Sequence, residues 1–542
     1  MRKLLLICLI ALTCFCSVAW QNTYTEQSEE VQNLYTLANL SSTALPILTY
    51  PVSRENMLTM LDMINTEDLG ENGLKLYNSL REKIENAYVI LGQDGFGMDL
   101  QTPVLLFNLY NGEYEDKTAI LAYKDSISII EPRATVYLSE YFTGVFDFDQ
   151  RIEQGRSKEL TDNLHLDSVF ILKDICHESP TVAYGSLGNK IINLSIGRNR
   201  ISAGGAKTGN LSLSENQLFT DYAKLSIVGK VLSYDYTASV YDTGDTETGI
   251  EYMDFNSNVK AMYVHRLSAV FGKHLSLSLY EGAMNYGQGM FSDIRVLNPF
   301  MMIHNNYSYL TGYVNNFFGL DTKVSFSKGF YAGAQLMLDQ FKLSTEASDS
   351  GENAFGVLVN AGWTGEVGEG ILDTWAEFVY TSTTLYLKEK DNSFNTEAAQ
   401  YFQTDLISSY KTFNAYDSDE FAYIGYPLGP GVVRGVLGAS YLLNDYKFGL
   451  QTSFAVKKPV GIGENEDRAI GVTTYSSYPQ EKRFSVTASV EGKAYEAVSY
   501  SAAVSFLSIW NHNHISDDNY LGVGFTFAIK VDPCRLIERK TI

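Results

Sequence analysis

Cysteine is almost missing from the body of this 542-residue chain: three of its five, Cys8, Cys14 and Cys16, fall at the extreme N-terminus, leaving Cys176 and Cys534. Two cysteines cannot build a disulfide framework, and two free thiols are expected rather than one bridge. Long apolar runs are lacking too. Beyond the first 19 residues nothing approaches 18 consecutive apolar residues, which excludes helical membrane spans. Basic charge is in deficit, with 41 Lys and Arg against 63 Asp and Glu and a net charge of −22. Such a chain avoids nucleic acid.

Catalytic signatures are equally scarce. There is no Gly-x-Ser-x-Gly, no Ser-His-Asp order and no marked carboxylate pair. Lys207-Thr208-Gly209 and Ser325-x-x-Lys328 stand in the wrong order for a serine penicillin-recognising enzyme. Gly204-Gly205-Ala206-Lys207-Thr208 lacks the spacing of a phosphate loop. His512 and His514, with Asp517 or Asp518 nearby, match no zinc pattern and read as a polar turn. The expectation is a protein without catalysis, metal or cofactor.

What is present begins with Met1-Arg2-Lys3, an apolar stretch from Leu4 to Cys16 and Ser17-Val18-Ala19, the pattern of a cleaved export signal over residues 1–19. Residues 20–97 read as helical. Ser53 caps one helix carrying Met57, Leu58, Leu61 and Ile64 on a single face, and a second carries Leu74, Tyr77, Leu80, Ile84 and Tyr88. From Met98 the period drops to 2. Leu232, Tyr234, Tyr236, Ala238 and Val240 alternate with Ser233, Asp235, Thr237 and Ser239, and the same rhythm recurs at 275–280, 446–454, 483–490 and 521–529. Segments with one apolar face and one small or polar face, in a chain with 43 Gly, 37 Tyr and 29 Phe but 11 Pro, are the pattern of an all-β transmembrane antiparallel β-barrel. Lipid offers no hydrogen bonds, so such a sheet has to close on itself. Residues 98–530 suffice for about 16–18 strands. Residues 531–542 form a tail past the last aromatic strand. Polar insertions at Tyr241–Asn258, Lys388–Glu420 and Lys457–Lys482 are expected to form the outward surface.

Several motifs in order resemble the capsule-assembly (Wzi-type) family of outer-membrane proteins. They are YPVSRENMLTML at Tyr50 to Leu61; Gly197-Arg198, Gly205, Leu213-Ser214 and Asn216; His265-Arg266, Glu281, Tyr286 and Leu297-Asn298-Pro299; the strand Tyr331 to Phe341 with Asp339; Trp375-Ala376-Glu377-Phe378; and YIGYPLGPG at Tyr423 to Gly431. Ala203-Gly204 stands where the family has Trp-Gly. The resemblance implies an outer-membrane barrel with a periplasmic helical portion, a surface lectin that retains surface polysaccharide on the cell. Contact with outer-membrane lipid and lipopolysaccharide and a monomeric state are further expectations. A glycan site needs aromatic platforms and amides. The loop residues Tyr401, Phe402, Tyr410, Phe413, Tyr416, Asn392 and Asn395 supply both. Arg198, Arg200, His265, Arg266, Glu281, Arg295, Asn298, Asp339 and Glu377 are expected to face the lumen and the charges to pair with one another, because lipid exposure of charge is costly. A porin or diffusion channel for small solutes is the alternative function.

Overall fold

The computed structural model describes residues 21–541 except 87, 94–95, 112–126, 139–140, 149, 153–174, 177–179, 218, 242–257, 289–297, 299–312, 341–352, 388–404, 412–418, 461–477 and 538–539. The export signal expected at 1–19 lies outside them.

Three helices come first: α1 (Glu29–Leu40), α2 (Arg54–Leu61) and α3 (Glu71–Glu85). Ser28 and Ser53 each accept a hydrogen bond from a backbone N–H of the first turn, which starts α1 and α2. The apolar faces meet in one core containing Leu34, Leu37, Met57, Met60, Leu80 and Ile84. The sequence reading of two helices missed α1, although its Ser cap and its Val31, Leu34, Leu37 and Ala38 stripe are regular. It also ran the last helix too far. Asn86 leaves the helical conformation, and Tyr88 enters the short strand Tyr88–Val89.

The rest is a closed antiparallel barrel. With collinear pieces counted as one strand, the strands are β1 (Phe96–Gln101 and Val104–Asn111), β2 (Ile127–Ile130 and Arg133–Leu138), β3 (Phe142–Asp147 and Gln150–Ile152) and β4 (Ile175–Cys176 and Ala183–Gly188). Then come β5 (Ile192–Asn199), β6 (Thr220–Val228), β7 (Leu232–Tyr241), β8 (Asn258–Phe271), β9 (Leu275–Gln288) and β10 (Tyr313–Ser325). They continue with β11 (Phe330–Gln340), β12 (Ala354–Val367), β13 (Gly370–Thr381) and β14 (Val432–Leu443). The last are β15 (Tyr446–Lys457), β16 (Glu481–Tyr495), β17 (Val498–Trp510) and β18 (Asn519–Val531). The ring shuts where β18 pairs with β1, Phe525 opposite Asn111 and Val531 opposite Val104.

Burial along the strands is inverted relative to a soluble sheet. On β5, Leu194 and Ile196 are exposed while Asn193 and Ser195 are 1% exposed; on β9, Leu279 is exposed while Ser276 and Ser278 are fully buried. Apolar side chains outside and polar ones inside suit hydrocarbon as the outer solvent. Connections at one end are short, as at 229–231, 272–274, 368–369 and 444–445, and the long ones all fall at the other end. In such barrels the short turns are periplasmic. The helices dock at that end: the Ala44 N–H donates to the Lys273 carbonyl (2.7 Å), and Asn72 and Gly73, in the first turn of α3, donate to Glu366 (3.2 and 2.8 Å). The tail turns back there as well, pairing Lys540–Thr541 with Tyr88–Val89. Cys534 in that tail is a free, buried thiol beside the Thr102 hydroxyl.

Candidate functional site

Among the described residues, the chain inside the lumen includes the N-terminal residues 21–27, whose Gln21 bonds Asn193 and whose Thr23 N–H donates to Tyr184, and three further pieces. From the periplasmic end comes the stretch from Ala44 to Tyr50. From the outer end come the β5–β6 connection, with Ile201, Leu211 and Leu213, and the described parts of the β13–β14 connection, with Leu385, Tyr386, Ile407, Ile424 and Tyr426. The last two pack on inward-facing Met262, Met284, Phe317, Met337, Leu358 and Val379 in one apolar cluster. Ser202–Ala203 pairs in antiparallel register with Thr49–Tyr50, so chain descending from the outer end meets chain rising from the periplasmic end inside the barrel. The insertion read as outward surface at Lys388–Glu420 therefore goes partly inward: Ile407 is 2% exposed and Ser408 4%. The wall it meets is apolar enough at that level to bury it.

Charged wall residues grip the main chain of this plug. The Glu377 carboxylate accepts the N–H groups of Lys207 (2.9 Å) and Thr208 (3.1 Å) and the Thr208 hydroxyl. Asp339 accepts the Tyr386 N–H (2.9 Å), and Asp235 the Thr49 N–H (3.0 Å). Gln335 accepts from Leu211 N–H (2.9 Å) and donates to Asn210 (2.8 Å). The Lys224 ammonium donates to the carbonyls of Thr49 and Pro51, and Lys260 to that of Ile407. Arg266 is fully buried, pairs with Asp321, stacks on the Tyr280 ring and reaches Ser212 (3.3 Å). Such hydrogen bonds to ionised groups are shorter and stronger than neutral ones, and losing a partner leaves a buried charge bare.

Two carboxylates meet where the plug joins the N-terminal segment. Glu215 accepts the Glu26 N–H (2.5 Å) and the Ser202 hydroxyl (3.2 Å), while Glu26 accepts from the Asn210 amide (2.9 Å). Burial, and then the neighbouring Glu26 carboxylate, push the Glu215 carboxyl up to about 7 against the counter-effect of Arg200. Burial likewise raises Glu26.

The motif residues divide by strand phase. Arg266, Asp339 and Glu377 face the lumen, as expected; Arg266 pairs with the wall charge Asp321 as expected, whereas Asp339 and Glu377 hold plug main chain. Arg198, His265 and Glu281 do not face it. They share the phase of outward Ile196, Leu267 and Leu279, and Arg198 sits at the outer rim, bidentate to Asp221 (2.8 Å) with its guanidinium over the Phe219 ring. His265 bonds the Tyr234 hydroxyl (2.7 Å) on the outward flank, where Ala261, Tyr263 and Ala283 are buried together. Arg200 lies beyond the end of β5, in the electrostatic reach of Glu215. Asn298 is exposed. Arg295 and the loop residues Asn392, Asn395, Tyr401, Phe402, Phe413 and Tyr416 lie outside the described residues; Tyr410 is placed in the strand Ile407–Lys411, paired with Asp419–Tyr423. The sequence reading missed Asp235, Lys224, Gln335 and Asp373, although each shares its strand face with small or polar inward residues.

Among the described residues, the outer connections fill the lumen along one side. Along β15–β18 the inward Lys447, Glu491, Ser499, Ser501 and Thr526 are exposed to water. Toward the outer end that same face becomes apolar and buried at Leu507 and Ile509.

No protein-family model and no curated protein matches this chain. Among solved structures, Wzi, an outer membrane protein involved in group 1 capsule assembly in Escherichia coli and described as a carbohydrate-binding β-barrel, is 12% identical with a TM-score of 0.58, over 94% of this chain and 99% of its own. OprD of Pseudomonas aeruginosa is 10% identical with a TM-score of 0.40, over 84% of this chain and 95% of its own. OccAB1 of Acinetobacter baumannii is 9% identical with a TM-score of 0.39, over 82% and 97%. At such identities the Wzi likeness is one of fold, that of an outer-membrane β-barrel. The motifs in the sequence and the course of the backbone lead to the same neighbour.

Proposed function

We propose that this protein is a non-enzymatic outer-membrane barrel that binds and retains a surface polysaccharide on the cell. The observation that carries the reading is the anchored plug. A diffusion pore keeps its lumen open, whereas here the Glu377, Asp339, Gln335 and Arg266 side chains tie two outer connections into the lumen. With the lumen so occupied, the function moves to the outer surface. In sequence, the β13–β14 connection carries Tyr401, Phe402, Tyr410, Phe413 and Tyr416 with Asn392 and Asn395, residue types that supply the ring faces and amides sugars require. The carbohydrate binding described for Wzi, which shares this fold, agrees with the reading.

The water-exposed inward face of β15–β18 favours the alternative, a channel for small solutes. The deciding experiment compares surface polysaccharide on cells and in the medium, with and without the protein, and measures conductance of the purified barrel in planar bilayers. Glycan shed into the medium from the deletion strain, with no conductance from the barrel, supports retention. Unchanged glycan with steady conductance overturns it in favour of the channel.

A further inference from the structure

On the outward face, one lateral row runs Val359, Phe378, Gly435, Phe454 and Phe484, paired strand to strand across β12–β16. Gly435 leaves a notch in it, for a Cβ there would meet nothing within 4 Å. The outward Gly365 is different, since its space is occupied by the Trp363 ring. The row below continues the hollow with Ala361, Ala376 and Thr452 beside Leu437. Together they form an apolar groove of about 520 Å³ between aromatic walls. The row above places Tyr380, Lys482 and Trp510 on the same outward face. Amphipathic rings at that level mark the lipid–water boundary. Lys482 and Lys458, the latter higher still beside the outer connection, are exposed and make no ion pair among the described residues. In a chain of net charge −22, two exposed cations over an apolar groove are an unusual local excess.

We propose that this groove seats an acyl chain of a phosphorylated, multiply acylated glycolipid of the outer leaflet, with Lys482 and Lys458 above it binding headgroup phosphate. The Lys side chains end in the headgroup layer while their stems cover the aromatic rim. A groove that opens directly beneath them receives the chain of the same molecule, so charge and apolar contact act on one ligand. The long connections at this end put the groove in the outer leaflet. Two cations at successive heights suit a headgroup bearing more than one phosphate. The proposal rests on the outer-membrane placement and not on polysaccharide retention.

The test is native mass spectrometry of the full-length barrel, with bis-phosphorylated lipid A and phosphatidylglycerol added in turn. Lipid A is expected to stay bound to the natural protein and to outcompete phosphatidylglycerol. Gly435→Leu fills the notch from a position that faces hydrocarbon, and it should lower lipid A retention by about tenfold, a change of 1.4 kcal/mol. Lys458→Gln with Lys482→Gln should lower it for lipid A far more than for phosphatidylglycerol. Thr452→Phe fills the same groove from β15 and serves if Gly435→Leu does not give a heat-stable barrel. Undiminished lipid A in a folded, filled variant overturns the seat, and equal binding of phosphatidylglycerol overturns the glycolipid assignment. Neither readout contains capsular glycan, so a failure of the retention assay leaves this result standing.

Discussion

The two sides of the lumen are built from different residues. Along β6–β13 the inward positions include Lys224, Asp235, Arg266, Asp321, Gln335, Asp339, Asp373 and Glu377, all under a tenth exposed and turned toward plug main chain or one another. Along β15–β18 Gly, Ser, Ala and Thr are frequent and several inward residues are open to water, while the charges there pair away from the plug: Arg483 with Glu481, Lys493 with Glu29 and Lys530 with Glu131. Both sides are polar, and the alternation that makes them inward is the same. What separates them is whether the wall charges are buried by the plug: a small hydroxyl or an exposed charge is satisfied by water, while a wall charge buried by a plug has to find a peptide group or a counter-ion. The described plug thus lies against the arc whose charges it buries.

Removing one member of a buried pair should break the plugged side most. Arg266→Met leaves Asp321 buried without its cation, an expected loss of about 3–5 kcal/mol. Urea unfolding of the barrel in detergent should show it, with much of the loss recovered in Arg266→Met/Asp321→Leu. Lys447→Met on the open side should stay within about 0.5 kcal/mol of the natural protein. Equal effects at both positions would erase the distinction between the two sides.

A matched pair of serines sharpens it. Ser278 is fully buried and accepts from Arg266 (3.0 Å), whereas Ser501 is exposed. Ser278→Leu should cost about 1–3 kcal/mol by overpacking, and Ser501→Leu should change stability little. A water-soluble thiol reagent offers a second readout, labelling Ser501→Cys and sparing Ser278→Cys.

The smallest effect is expected from pH. Glu26 and Glu215 are both raised from the usual value of 4.5, Glu215 to about 7, in surroundings that include Arg200, Lys323, Ser202 and Asn210. A carboxyl raised in the folded state binds more protons there than in the unfolded chain. Docking of the plug is therefore firmest below pH 4.5 and weakens as the pH rises through about 7. Hydrogen exchange of the backbone around Ser202 and Glu215 should quicken between pH 5 and 8, beyond the intrinsic rise, and Glu215→Gln should flatten that change. An unaltered slope in the variant would assign it elsewhere.

Much of this fold is legible in particular residues. The rhythm of Leu275, Leu277 and Leu279 against Ser276 and Ser278 states both strand and lipid face, and Ser53 announces its helix. The phase of the same rhythm also contained an answer that the charge argument obscured. Glu281 continues the leucine series of β9, and Arg198 follows Ile192, Leu194 and Ile196, so both face outward despite the cost expected for charge in lipid. Arg198 meets that cost at the rim by pairing with Asp221 and stacking on Phe219. The helix α1 was readable from Ser28 and its apolar stripe. The loops proposed to bind glycan were legible only as composition.

By itself, the sequence determined the solvent and the closure. Long alternating segments with one apolar face and a Gly- and Ser-rich opposite face, recurring along the chain, point to lipid outside, and lipid requires a sheet without edges. Only the tertiary structure decided what fills the barrel. Lys207 and Glu377 meet across 170 residues and Arg266 and Asp321 across 55, and alternation says which way a side chain points but not what lies opposite it. That choice belongs to the path of the connections, which local pattern does not encode.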